Sequence, residues 1–464
     1  MKVVVLGGGS TGEHFVGALR RLDDAAEITL VESRLVGGEC SYFACMPTKT
    51  MLRATELSSA LERAPGLAPE KPDAAGVWSW RDWVTSDWDD TGQLEWLKGK
   101  NCAFVRGRGH VARAGVVDVD GRELEYDRLV VATGTSPSVP PVEGLDTVEY
   151  WTNQDATRAH EVPASLAVMG GGPVGVELAQ FFARMGSTVT IVEHGPRLLG
   201  RVHEEAGDLL AGVFREEGID VRTGVGVEKV EPRDEVPTIK RAGGETRDHA
   251  FRPGLAPGVR LTLSDGSTIE AERLLVATGR TLNTDDLGVE QLGCKVGPRG
   301  IEVDERLRAA ENVWAIGDVT GIALFTHVGK YQARVAAADM KGRTATADYR
   351  AIPSGIFTDP EVATVGRTDG EHDVSVRWEL TDTPRLSTYE RPKRDGFLRI
   401  FADPKARILV GAIAVGPQAA EWLGQLTLAV RSATPVDVLL DTIRPYPTFS
   451  EAIFFALREL VDAL

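Results

Sequence analysis

Cys40 and Cys45 are separated by four residues and followed by Pro47 and Lys49. Such a pair in a long chain points to catalysis or metal binding rather than to a structural bridge. A regular helix would hold the two Cα atoms roughly 8–9 Å apart. A disulfide needs about 4.4–6.8 Å. Bridging them therefore requires a distorted first turn, which Gly37-Gly38 and Pro47 permit. A strained disulfide is the more easily reduced kind. The remaining cysteines, Cys102 and Cys294, lie outside any pairing motif and read as small buried hydrophobes.

A redox pair needs a source of electrons, and the chain carries two segments suited to hold one. Residues 2–6 are an apolar run ending in Gly7-Gly8-Gly9-Ser10-Thr11-Gly12. An amphipathic stretch to about residue 22 and a second apolar run, 27–31, lead to Glu32. In this strand, Gly-x-Gly-x-x-Gly, helix, strand and acid order, each glycine has a task. Gly7 makes the tight turn, Gly9 admits a pyrophosphate and Gly12 lets helix pack on strand. Glu32 is placed to accept from a ribose. The pattern returns at residues 164–169, with Gly170, Gly172 and Gly175, a helix to about residue 185, and a strand ending in Glu193. Two units allow one dinucleotide to stay bound while another exchanges. A carboxylate at Glu193 favours a free 2′-hydroxyl, hence NADH over NADPH, with Arg197 and Arg201 nearby as opposing charges.

The remaining stretches position these units. The sequence has 464 residues, 42% of them hydrophobic, which predicts two or three domains. A net charge of −16 disfavours nucleic acid and anionic membranes as partners. There is no leader-like start and no membrane-length apolar run, so a soluble cytoplasmic protein is expected. Five of the nine tryptophans fall in residues 78–96 and read as packing and interface residues. Two Val-Ala-Thr-Gly segments, with Thr133 and Gly134 in the first and Gly279 and Arg280 closing the second, read as strand-and-turn exits from the nucleotide units. Gly317-Asp318 ends a further strand, where Asp318 can bind a polyol chain or cap a helix. Residues 233–260 are polar and Gly/Pro-rich, a solvated loop in a hairpin. From residue 352, four strand patterns and two helices predict an α+β unit without a nucleotide signature.

Together these segments resemble the pyridine nucleotide-disulfide oxidoreductases, on the branch of dihydrolipoamide dehydrogenase and mercuric reductase. The resemblance spans nearly the whole chain. It rests on the glycine loops, Gly-Gly-x-Cys-x4-Cys-x-Pro-x-Lys at 37–49, Ala-Thr-Gly at 132–134, residues 277–280, Ile316-Gly-Asp318 and residues 357–366. It implies an α/β fold with two Rossmann-like dinucleotide-binding domains and a C-terminal α+β dimerisation domain. The implied segments are 1–150 and 281–348 for FAD, 151–280 for NAD(P), and 349–464 for dimerisation. It implies hydride passing from NADH through FAD to a Cys40–Cys45 disulfide. Cys45 would face the flavin and Cys40 would emerge as the thiolate that meets a small-molecule acceptor. Lys49 and Glu177 would form an ion pair under the flavin. A homodimer would form, the C-terminal segment of one copy completing the active site of the other.

Two positions depart from the family pattern. Relatives that reduce disulfides carry His-Pro-Thr near the C-terminus, where this chain reads Arg444-Pro-Tyr446-Pro-Thr448; the last of its eight histidines is His372. A histidine titrates near 6.5 and shuttles protons, whereas a phenol near 10 is a poor base at neutral pH. Mercuric reductase is similar in carrying tyrosine there, although residues 459–464 lack its C-terminal cysteine pair. Glu451 either orients the residue at 446 or completes a capping box from Thr448. The second departure is Pro173, in place of an aromatic flap over the flavin, which would open the nicotinamide pocket. The readings that follow are an NADH-driven disulfide relay, a quinone or metal-ion reductase working largely at the flavin, or a redox-responsive binding protein.

Overall fold

The computed structural model describes residues 1–233 and 258–464 and divides into two compact units. The expected solvated loop lies almost wholly outside the described residues. The strands on either side of it, Val227–Arg233 and Gly258–Leu263, do pair as an antiparallel hairpin.

The first unit comprises residues 1–47, 81–138 and 280–348. Its sheet has six strands among the described residues, with Lys2–Leu6 between Arg128–Val131 and Glu27–Glu32. These pairings are parallel. Parallel strands are buried on both faces and so read as continuous apolar runs, as Val3, Val4, Val5 and Leu6 do. The helix Ser10–Leu22 follows the first strand and turns Phe15, Val16 and Leu19 inward. A Cβ at Gly12 would run into the Gly7 carbonyl, so only glycine lets this helix start so close to the strand. A hairpin forms at Asp120-Gly121, both residues taking positive φ between Val116–Val119 and Arg122–Glu125.

The second unit comprises residues 48–80, 139–279 and 349–464. A four-stranded parallel sheet repeats the architecture of the first, with Ser165–Met169 followed by the helix Pro173–Arg184 and the strand Thr188–Glu193. The C-terminal part is a five-stranded antiparallel sheet with the helix Glu451–Ala463 against it. The first of the two helices expected after residue 352 is divided into Ala419–Trp422 and Gly424–Ser432. Of the five clustered tryptophans, Trp78 is buried against Phe181, while Trp80, Trp83 and Trp96 are exposed in the single chain. Cys102 and Cys294 are buried, and burial pushes their thiols up to about 12 and about 11. They are inert fillers, as their isolation in the sequence suggests.

Candidate active site

A cleft of about 410 Å³ opens in the first unit above the glycine loop. Its floor is made by Gly7 and Gly9, and Glu32, Cys40, Thr133, Gly134, Gly317 and Asp318 line its walls. Glu32 is held in place by two backbone amides. Gly8 donates to Oε2 at 2.8 Å and Arg34 to Oε1 at 2.6 Å. Its counterpart in the second unit is held the same way, with Gly171 and Gly195 each donating to Glu193 at 2.6 Å. At Gly9 the nearest atom to an added Cβ is the Gly38 Cα at 4.0 Å, and at Gly172 nothing lies within 4 Å. Both helix starts therefore present open backbone amides, where a pyrophosphate is best accommodated. Gly170 and Gly175 repeat the contact of Gly7 and Gly12: a Cβ at Gly175 would run into the Gly170 carbonyl.

Asp318 does not cap a helix as the alternative sequence reading had it. It starts a short 3-10 turn, Asp318–Thr320, without a side-chain cap, and the helix proper begins at Thr326. Its Oδ2 accepts from Thr135 at 3.0 Å, and burial raises its carboxyl, opposed by that hydrogen bond and by Arg280. Arg280 donates to the Thr135 hydroxyl at 3.1 Å and pairs with Glu39 at 3.1 Å. Thr133 donates to the Asn283 carbonyl at 2.7 Å, and the Asn283 amide donates back to the Thr133 carbonyl at 2.9 Å. Glu39, Phe43 and Asn283 line the cleft and were not singled out from the sequence. Only Glu39, beside Cys40, carried a usable signal, a charge within a glycine-cysteine motif.

The distortion required of the cysteine segment is a full break. Gly38–Tyr42 is one short helix and Cys45–Glu62 a second, with Phe43 ending the first. Both cysteines are free thiols, half-buried on either side of this break. Cys45 Sγ lies 3.6 Å from the hydroxyl of Thr326. The hydrogen bond from Cys45 and then burial push the Cys40 thiol well up, while Thr326 and Lys330 pull it down. Cys40 is the member of the pair that lines the cleft.

Within the second unit, Lys49 Nζ sits 2.7 Å from Glu177 Oε2. The other carboxylate oxygen accepts from the Phe357 amide at 2.8 Å, and the lysine lies 5.0 Å from the Phe357 ring centroid. Glu177 is buried. Pro173 opens its helix in the first turn, a position where its missing N–H costs nothing. Gly279 takes φ +139° with open space beside it. Tyr446 is 73% exposed in the single chain. Glu451 accepts from the Thr448 amide at 3.4 Å, but the Thr448 hydroxyl donates to the Pro445 carbonyl instead of returning the bond. The reciprocal capping box is therefore not formed, and Ser450 precedes the helix.

A cysteine on the wall of a dinucleotide cleft, with a second one five residues on, suits a protein that passes electron pairs between a bound cofactor and an acceptor. The chain belongs to the pyridine nucleotide-disulphide oxidoreductase family: residues 1–340 match that family and residues 352–456 match its dimerisation domain. It is 32% identical to a dihydrolipoyl dehydrogenase of Thermus scotoductus, across 99% of this chain and 97% of that protein. It is equally 32% identical to a mercuric reductase of Acidithiobacillus ferrooxidans, across 97% and 81%. LpdA from Mycobacterium tuberculosis matches with a TM-score of 0.85 at 25% identity over 99% of both chains. RclA from Escherichia coli shares the fold, with a TM-score of 0.82 at 24% identity over 98% of both chains. The protein is thus a flavoprotein disulfide oxidoreductase of a family that uses FAD and NAD(P)H. Among the described residues no helix is long and apolar enough to cross a membrane.

Proposed function

We propose that this enzyme oxidises NADH through FAD and a Cys40–Cys45 dithiol–disulfide couple, and delivers the electrons to an acceptor that needs little proton transfer. The observation that carries this reading is the place of Cys40 on the wall of the cleft, with Cys45 opening the next helix five residues on. The open amides at Gly9 and the fixed carboxylate of Glu32 fit the pyrophosphate and ribose of FAD, and Asp318 fits its polyol chain. When bound, FAD supplies the two-electron chemistry that links NADH to the cysteines.

The residues of the chain do the rest. Cys40 and Cys45 take up two electrons and two protons as their disulfide opens, and return them as the acceptor is reduced. Glu177 holds Lys49 in an ion pair, and that cation stabilises negative charge gained on reduction. Glu193, held as a fixed acceptor by two amides, binds a ribose diol and repels a 2′-phosphate, so NADH is the donor. Replacing Glu193 by alanine should raise the NADPH-to-NADH ratio of kcat/KM roughly tenfold, about 1.4 kcal/mol. Steady-state kinetics with each nucleotide measures it, and an unchanged ratio refutes the assignment.

The acceptor class follows from Tyr446. A phenol donates a hydrogen bond to a thiolate or oxyanion but does not shuttle a proton at neutral pH as imidazole does. Thiolate-bound soft metal ions, or quinones admitted past Pro173, fit that chemistry. Turnover of dihydrolipoamide as donor or of glutathione disulfide as acceptor, each of which needs a general base worth roughly 10²–10⁴-fold, does not fit. NADH oxidation against disulfides, quinones, and mercuric and cupric ions tests this. Metal ions or quinones should turn over fastest, and disulfide turnover at a comparable rate would sink the acceptor assignment. A homodimer, with the segment around Tyr446 serving the partner's site, completes the proposal.

A further inference from the structure

A site in which Tyr446 stands where relatives carry histidine needs another source of positive charge for its thiolate. Thr326, whose hydroxyl touches Cys45, opens the helix Thr326–Met340. Lys330 stands four residues further, one turn along on the same face. Helical side chains lean toward the helix N-terminus, so the lysine stem runs back toward Thr326 and the cysteines. The helix Ser10–Leu22 packs closely alongside, where a Cβ at Gly329 would run into Thr11, and it brings Glu13 to the same place. Burial pushes Glu13 up to about 7, while the charge of Lys330 pulls it the other way. Lys330 forms no salt bridge within 4 Å among the described residues, so its charge is not spent on one carboxylate.

We propose that Lys330 is the positioning cation of this site, its charge favouring the thiolate of Cys40 in place of a protonated histidine. The inference rests on the reading of Cys40 and Cys45 as a redox pair. The other groups facing Cys40 do not supply that charge. Glu39 is negative and already met by Arg280 at 3.1 Å. Cys45 and Thr326 are neutral, and Glu13, the acid beside Lys330, would oppose a thiolate. His14 is pushed below its ordinary value by burial, and Arg334 lies a further turn beyond Lys330. His327, adjacent to Thr326, stacks on Phe325.

The test is the pH dependence of iodoacetamide labelling in the dithiothreitol-reduced holoenzyme, with peptide mass analysis to assign Cys40. Lys330→Met should move the Cys40 midpoint up by about one pH unit or more, the size expected for one nearby charge. Lys330→Arg should keep it close to wild type. Glu13→Gln should not raise it, because a carboxylate disfavours the thiolate. An unchanged midpoint in Lys330→Met overturns the inference. So does an equal rise in Glu13→Gln, which would make the two residues a structural strut. Oxidation of the wild-type protein should remove about two thiols. If it does not, the redox-pair reading fails and takes the inference with it, whereas a normal thiol count with an unmoved midpoint overturns the inference alone.

Discussion

Replacing Cys45 by serine is expected to abolish turnover with disulfides and thiolate-bound metal ions, a loss on the order of 10³-fold or more. A hydroxyl cannot close an S–S bond, so electrons reaching the site have no dithiol to rest on. Thiol titration during anaerobic NADH addition measures this directly. The wild type should gain about two thiols per chain as the disulfide opens, and the variant none. Cys40→Ser separates the routes. Quinone reduction that survives in Cys40→Ser is direct reaction at the flavin, while loss of every acceptor places all traffic through the cysteines. NADH oxidation by the wild type with no change in free thiols would refute the relay altogether. The fold gives no reason for either serine to disrupt packing, because both thiols are half-buried and already sit in polar company.

What could be read from the sequence was local. The glycine loops and their terminal acids were legible because each task lies within about thirty residues and depends on backbone sterics. Gly12 packs against Gly7 as the spacing requires, and Glu32, read from the sequence as a ribose acceptor, takes the Gly8 amide. The strands of the C-terminal sheet announced themselves by apolar runs of the right length, and Glu361–Gly366, Val374–Glu379, Phe397–Asp403 and Ile408–Gly416 all form. The short helices Pro384–Tyr389 and Val436–Leu440 did not. Segments of five or six residues are too short for a 3.6-residue period to show. The break at Phe43 was only half visible. Glycine and proline flagged strain, but nothing local marked where the helix would end.

The residues missed around the cleft share one property, that their partners are distant in the chain. Thr326 meets Cys45 across 281 residues and Asn283 meets Thr133 across 150. For the same reason the sequence left Asp318 open between a polyol-binding role and a cap, because its partner Thr135 lies 183 residues away. Side-chain hydrogen bonds of this kind are set by the tertiary fold, and a single sequence carries no trace of them. Lys330 was within reach once Thr326 was known, since four-residue spacing on a helix fixes a shared face.

Asp359→Asn is expected to be among the most destabilising single substitutions in the second unit. Asp359 is buried, and its carboxylate accepts from Arg63 at 3.1 Å, from Arg184 at 2.9 Å and from Arg394. Glu390 and Glu217 share these guanidiniums. Removing one of three carboxylates leaves three arginines facing two acids, and a broken buried network of this kind costs about 3–5 kcal/mol. Its backbone is also tied down: Gln180 accepts from the Asp359 amide at 2.8 Å and donates to its carbonyl at 2.9 Å. Two residues earlier, the Phe357 amide supports Glu177, so the network braces the carboxylate that holds Lys49. Burial pushes the Asp359 carboxyl up, but Arg394, Arg184 and Arg63 outweigh it and hold the group well below the usual range. A depressed carboxyl contributes stability that is fully present above its unfolded value of about 3.9 and is lost as pH falls through the folded value. The gap between wild type and Asp359→Asn should therefore be full at pH 7 and shrink below about pH 4. Urea unfolding of the holoenzyme at pH 7 and at pH 3 measures both. Equal stability at pH 7 would mean that Gln180 alone secures this segment, and that the three arginines find sufficient charge in Glu217 and Glu390.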